Sequence, residues 1–214
     1  MNVIFGSAGF AKEVDWLLYE INLQKGESYF LDWYVGNESN QKDIQGVPVV
    51  SESDFCSTEF EHQVIEGFIA IANPVIRKKI WDKFKNLPQF TFPTLVHPNV
   101  CYDARLTRIE IGKGSIICSG AKLTTDIKIG SFVHVNLNAT IGHDSQIGDF
   151  CTISPGCNIS GNVTIGNGVF LGTNAVILEK LIIANNVIVG AGSVVTKSIT
   201  EPGTYVGIPA KKIK

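Results

Sequence analysis

The chain has 214 residues, 44% of them hydrophobic and 18% charged, with a formal net charge of −2. That is enough apolar material for a sizeable core, and the dispersed Gly and Pro exclude a collagen-like tract or a low-complexity tail. No run approaches the length of a membrane helix and the opening MNVIFGSAGF lacks a signal-peptide pattern, so a cytoplasmic protein without membrane insertion is expected.

Residues 2–5 (NVIF) read as a strand, GSAG as a glycine loop, and Ala11 to Gln24 as an amphipathic helix with Val14, Leu17, Leu18 and Ile21 on its buried face. A second strand is expected in YFLDWYV (29–35), ending near Asp32, followed by a polar loop over 36–43 and a third short strand in GVPVV. Ser51 is placed to cap a helical turn over ESDF. HQVIEGFIAI (62–71) gives a fourth strand, and Asn73-Pro74 starts a helix carrying Ile76, Ile80 and Phe84 on one face. This alternation predicts a small parallel α/β sheet.

In such a sheet ligands bind beyond the carboxyl ends of the strands. Gly6 and Gly9 either let backbone amides approach a phosphate near a helix N-terminus or simply make a tight turn, since GSAGFA is not a full GxGxxG pattern. Asp32, about twenty residues on, reads either as a ribose- or base-binding acid or as a surface carboxylate.

From Ile111 every sixth residue is a branched aliphatic: Ile111, Ile117, Leu123, Ile129, Val135, Ile141, Ile147, Ile153, Ile159, Ile165, Leu171, Ile177, Ile183, Val189 and Val195. Two residues before each stands Ile, Val, Leu, Ala, Ser or Cys, and the residue after is often Gly. That period predicts a left-handed parallel β-helix in which three short strands make one triangular coil, giving about five coils. The fold class is therefore mixed, with a Rossmann-like α/β domain over residues 1–97 and the β-helix over 98–214. The C-terminal stretch from Thr196, with Pro202, Gly203, Gly207 and Pro209, is expected to be irregular and to cover the last coil.

Residues 1–97 hold eight Lys/Arg against thirteen Asp/Glu, net −5, and residues 98–214 hold ten against seven, net +3. No dense basic stripe accompanies the excess, so a small anionic ligand fits better than nucleic acid. The five cysteines share no CxxC spacing and the four histidines (62, 97, 134, 143) no ligand spacing, which leaves no metal site and suggests buried thiols.

Departures from the repeat are its informative positions. His143 and Asp144, in ATIGHDSQIGD, read as a general base with a supporting carboxylate or as a solvent-facing polar pair on a turn. Asn136 could orient a ligand or stack along the solenoid. No serine elbow or P-loop is present, so direct transfer is expected rather than a covalent enzyme intermediate.

With the hexads, TIGHDSQIGD, GNVTIGNGVFLGTNAVI and YVGIPAKKI in view, the chain resembles the hexapeptide-repeat acyltransferases over essentially its whole length. The opening GSAGFAKEV and LNATIGHD make it similar to the bacterial nucleotide-aminosugar N-acetyltransferases and sialic acid O-acetyltransferases (NeuD-like), which share a Rossmann-like N-terminal domain.

That resemblance implies a homotrimer with acetyl-CoA as co-substrate between adjacent β-helices. It also implies transfer to the 4-amino group of a nucleotide-linked 4-amino-4,6-dideoxysugar in bacterial surface glycan biosynthesis. By the same carry-over, His143 is the general base and Asp144 its partner. Gly6, Ser7, Gly9, Phe10, Asp32, Ala72, Asn73 and Asn136 fall on the sugar-nucleotide side, and Thr152, Gly161 and Ala191 on the CoA side. The sequence departs from many relatives in having Phe10 and Thr152 where they have His. O-acetylation of a sialic acid or related sugar is the alternative activity, and a non-catalytic β-helix module the alternative from another class.

Overall fold

The computed structural model describes residues 1–36, 42–58, 63–105 and 108–214. The chain divides into two compact units, Met1–Ala72 with Ile76–Pro93, and Thr94–Lys214 with Asn73–Val75. The main division falls ahead of His97 because Leu95–Val96 already pairs in a solenoid sheet, against Ile116 and Ile117.

In the first unit, β1 (Asn2–Phe5), α1 (Gly9–Lys25) and β2 (Trp33–Gly36) are followed by β3 (Asp43–Ile44), β4 (Val47–Ser51) and α2 (Glu52–Ser57). Then come β5 (Ile65–Ile69), α3 (Pro74–Phe84) and β6 (Phe90–Thr91). The sheet order is β3-β4-β2-β1-β5-β6, parallel except for β3. The chain starts in the middle, moves to one side and returns to the other, which is the doubly wound order of a Rossmann-like domain.

α1 buries Ala11, Val14, Leu17 and Leu18 and stops at Gly26, whose φ of 71° is the left-handed cap that a side chain disfavours. The Ser51 side chain accepts a hydrogen bond from the Asp54 amide at 3.0 Å, capping α2 as the sequence predicts. Most of the loop expected over 36–43, and His62, lie outside the described residues. β4 is the third strand expected in GVPVV, whereas β3 and β6, two residues each, are too short to carry a period and were not expected. Phe5, Phe55 and Phe84 fill the space between sheet and helices, with ring centroids 4.9–5.9 Å apart.

The second unit is a three-faced parallel β-helix. Each face is a sheet of strands two to four residues long, and register partners such as Ile117 and Val135 or Leu123 and Ile141 lie one coil apart. Fourteen of the fifteen hexad aliphatics are buried, Ile111 at the first coil being the exception. Each fully buried side chain of this size contributes about 1.5–3 kcal/mol.

The small residues two positions earlier have a second task. Ser115 Oγ, Cys151 Sγ and Cys157 Sγ donate to the carbonyls of Gly130, Gly166 and Gly172 at 2.8, 3.0 and 3.0 Å, tying successive coils together. Burial pushes the Cys157 thiol up to about 11, so it stays a protonated donor. Cys118, Cys151 and Cys157 are buried as expected, but Cys56 and Cys101 are exposed.

Every coil turns at a residue of positive φ, recurring every sixth position from Gly114 to Gly192 with values of 54–73°. Gly, Asn and Asp occupy most of these sites, as the left-handed region favours. Phe132 and Phe150 are exceptions, stacked one coil apart with centroids 5.2 Å apart and rings within 6° of parallel.

Two sequence expectations change. The solenoid starts before the hexads, because Leu95–Val96 and Cys101–Tyr102 pair across 21 positions rather than 18, extra residues being absorbed between Tyr102 and Ile109. The C-terminal segment is not irregular: Gly203–Val206 adds a parallel strand beside Val187–Val189, and Lys211–Lys212 folds back antiparallel onto it. A short strand of exposed lysines at the sheet end discourages further pairing. No helix among the described residues is long and apolar enough to cross a membrane.

Candidate active site

Strand Thr140–Ile141 delivers the chain into the turn that carries His143. At Asp144 φ is 61°, and its amide donates to the Thr125 carbonyl one coil below at 3.2 Å. The carbonyl of His143 accepts from the Asn162 amide one coil above at 2.6 Å. The turn is thus held from both sides, and His143 Nδ1 meets Asp144 Oδ2 at 2.7 Å.

An ionised carboxylate only accepts, so Nδ1–H keeps its proton and donates to Asp144, which leaves Nε2 as the lone-pair nitrogen of the neutral ring. The two side chains are 63% and 60% exposed, open to a substrate. Beside the ring lies Gly161, where an added Cβ would stand 2.6 Å from Nε2 and 2.7 Å from Cε1. A side chain at 161 would push the exposed imidazole out of this position.

Below the dyad, the Thr125 hydroxyl donates to Asp103 Oδ2 at 2.9 Å, and Arg105 grips the same carboxylate at 2.6 Å. The Arg105 guanidinium, then the Thr125 hydroxyl, hold the Asp103 carboxyl far below the usual carboxylate range. This foundation was missed in the sequence, because Asp103 and Arg105 lie ahead of the hexads.

The other solenoid residues lie elsewhere on the prism. Asn136 stands at the other end of the face containing Thr140–Ile141, and its Oδ1 accepts from the Leu137 amide at 2.8 Å. Ala191 occupies the same edge as Asn136, three coils further along. Thr152 is buried on the adjoining face, in register with His134. The structure therefore brings together His143, Asp144 and Gly161, and places Asn136, Ala191 and Thr152 outside that turn.

In the α/β unit a cleft of about 470 Å³ opens at the carboxyl ends of β1, β2 and β5, lined by Gly6, Ser7, Phe10 and Ala72 among others. Gly6 has φ 129° and an added Cβ would meet the Ala70 carbonyl at 2.9 Å, so the loop needs glycine. An added Cβ at Gly36 would collide with the Ser7 hydroxyl, so the end of β2 also runs close beneath this loop. α1 begins at Gly9 with no side-chain cap, and the Ala11 amide turns back onto the Ala8 carbonyl at 3.0 Å, so the positive end of the helix dipole faces the cleft without a capping side chain. Asn73 does not line the cleft; its Oδ1 caps α3 by accepting from the Val75 amide at 3.0 Å.

Asp32 requires a correction. It precedes β2 rather than ending it, and its Oδ2 accepts from the Asn2 amide at 2.7 Å at the amino end of β1. Because β1 and β2 are parallel, this is the edge of the sheet opposite Gly6. The run YFLDWYV has no period to locate its start, and the strand begins at Trp33.

Arg77 was also missed. It is fully buried in α3 and donates to the carbonyls of Ile71 and Ala72 at 2.6 and 3.2 Å, fixing one wall of the cleft. Its charge within an apolar helical face was the available signal. Among the described residues no group of three His, Cys, Asp or Glu is placed to hold a metal ion.

Comparison with known proteins bears on both units. The PglD N-terminal domain family matches residues 3–84, and the bacterial transferase hexapeptide family (six repeats) matches residues 162–197. GDP-perosamine N-acetyltransferase of Escherichia coli O157:H7 is 33% identical over 143 residues, 65% of this chain and 61% of that protein. The chain thus matches less than two thirds of that relative's length.

Among solved structures, WeeI from Acinetobacter baumannii AYE is 35% identical with a TM-score of 0.85, covering 100% of this chain and 99% of that one. Perosamine N-acetyltransferase from Caulobacter crescentus, solved as a histidine-to-asparagine variant in complex with CoA and GDP-perosamine, is 27% identical with a TM-score of 0.88. That match covers 100% of this chain and 96% of the other. By sequence and fold over its whole length, the chain belongs to the bacterial hexapeptide-repeat acyltransferases that carry a PglD-type N-terminal domain.

Proposed function

We propose that this protein is an acetyl-CoA-dependent N-acetyltransferase acting on the 4-amino group of a nucleotide-linked 4-amino-4,6-dideoxysugar. The observation that carries the reading is the His143–Asp144 pair seated against Gly161, in a chain similar over its whole length to a perosamine N-acetyltransferase solved with CoA and GDP-perosamine. The neutral amine attacks the thioester carbonyl, forming the C–N bond. His143 Nε2 takes the ammonium proton of the tetrahedral intermediate, and collapse expels the CoA thiolate, which the imidazolium protonates. Asp144 holds the ring and balances its charge, and backbone N–H groups meet the oxyanion.

The α/β unit takes the nucleotide, with Gly6, Ser7, Gly9 and Phe10 on the phosphate side and Ala72 on the opposite wall, behind which Asn73 caps α3. Asn136 positions the sugar, and Thr152, Gly161 and Ala191 lie on the CoA side of a groove completed by a second copy in a cytoplasmic homotrimer.

Incubation with acetyl-CoA and a panel of UDP-, dTDP-, GDP- and CMP-linked 4-aminosugars, followed by product mass, tests the activity. A gain of one acetyl group on nitrogen is expected, and acetylation of hydroxyl acceptors alone would overturn it. Native mass tests the trimer: a fully active monomer would remove the shared groove.

A further inference from the structure

We infer that Glu52 reads the base of the nucleotide and selects guanine, a step that rests on the proposed function and specifies its substrate. Glu52 is the one charged side chain among the described residues lining the α/β cleft. It follows the last residue of β4, and Ser51 pairs with Gly36 at the end of β2, while Val35 pairs with Phe5 at the end of β1. The three carboxyl ends therefore stand in a row.

The lateral distance from the Gly6 loop to Glu52 is two strand spacings, about 10 Å. That is comparable to the span of a nucleoside from its 5′-phosphate to the far edge of its base. With phosphates at the first turn of α1, the ribose falls over Gly36, where there is no side chain, and the base falls at Glu52.

Lys83 fixes this carboxylate, its Nζ 2.6 Å from Oε1, and among the described residues no side chain or amide hydrogen-bonds to Oε2, the oxygen that would meet a ligand. An ionised carboxylate only accepts hydrogen bonds. Guanine presents two adjacent donors, N1–H and the 2-amino group, that match it side by side. Uracil and thymine present a single N–H between two carbonyls, and cytosine an amino group beside a bare ring nitrogen. The acceptors of those bases face the carboxylate unfavourably.

The test is calorimetric binding of GDP, IDP and UDP to the full chain, as wild type and as Glu52→Gln and Glu52→Asp. IDP is GDP without the 2-amino group. Wild type is expected to bind GDP about tenfold or more tightly than IDP, and UDP more weakly still. Glu52→Gln brings the GDP:IDP ratio close to one, with GDP affinity down about 10- to 100-fold, while Glu52→Asp restores part of the preference. Equal GDP and IDP binding by wild type, or equal loss of UDP and GDP in Glu52→Gln, overturns the inference. Product masses from the sugar panel decide the acetyl transfer separately, so either conclusion can fail without the other.

Discussion

In the solenoid, Ile153 is in register with Val135 on one side and Leu171 on the other, each one coil away, whereas in the α/β unit Phe5 packs on Phe55, Phe84 and Phe92 at separations no period announces. The first arrangement repeats one local rule, so a residue that breaks the rule is conspicuous. The second depends on which strands become neighbours, and single residues carry no mark of where they will lie. The His143–Asp144 pair was therefore visible as a departure from a pattern, while the charged lining of the cleft was not.

The comparison can be broken most sharply at the dyad. His143→Ala is expected to lower acetyl transfer about 10²- to 10⁴-fold, measured as CoA thiol release, with an unchanged far-ultraviolet spectrum because the exposed ring supports no packing. Undiminished transfer would make the pair an ordinary turn.

Next in size is Ile153→Ala, which opens a cavity at a fully buried solenoid position and should cost about 2–5 kcal/mol in denaturant unfolding. A cost below about 1 kcal/mol would show that neighbouring coils collapse onto the gap. Arg77→Met tests the other unit: it leaves the Ile71 and Ala72 carbonyls without the guanidinium and should cost about 1–3 kcal/mol, with weaker nucleotide binding and an unchanged KM for acetyl-CoA.

Gly161→Ala forces the imidazole aside and is expected to reduce kcat about 10- to 100-fold while leaving the melting temperature within a few degrees. Unchanged kcat would mean that the ring has another productive position. The smallest effect belongs to Asp32→Asn, which keeps an oxygen for the Asn2 amide. Nucleotide affinity should stay within about twofold, and a large loss would return Asp32 to the binding surface.

Most of the architecture was legible because period and turn chemistry state it locally. The fifteen hexads located the three-faced solenoid, and Ser51 and Asn73 marked helix starts that their side chains do cap. Asp32 was misplaced because a strand's start is set by pairing: Val3 meets Trp33, so the acid precedes the sheet. Arg77 and Asp103 act through carbonyl and hydroxyl partners brought in by the fold. Gly161 was singled out by its spacing from His143, but the reason for the glycine, the room it gives an imidazole, is visible only in three dimensions.

The unbroken six-residue register also limits how this protein can change length over evolutionary time. Removing or inserting six residues within 109–195 would rotate everything downstream onto the next face, so viable indels there come in whole turns of eighteen. The odd spacing between Tyr102 and Ile109 lies ahead of that stretch, where a misfit displaces only the solenoid's beginning. The height of the imidazole above the first coil is therefore inherited in discrete steps, and descendants of this chain can raise or lower it only by duplicating or deleting a complete storey.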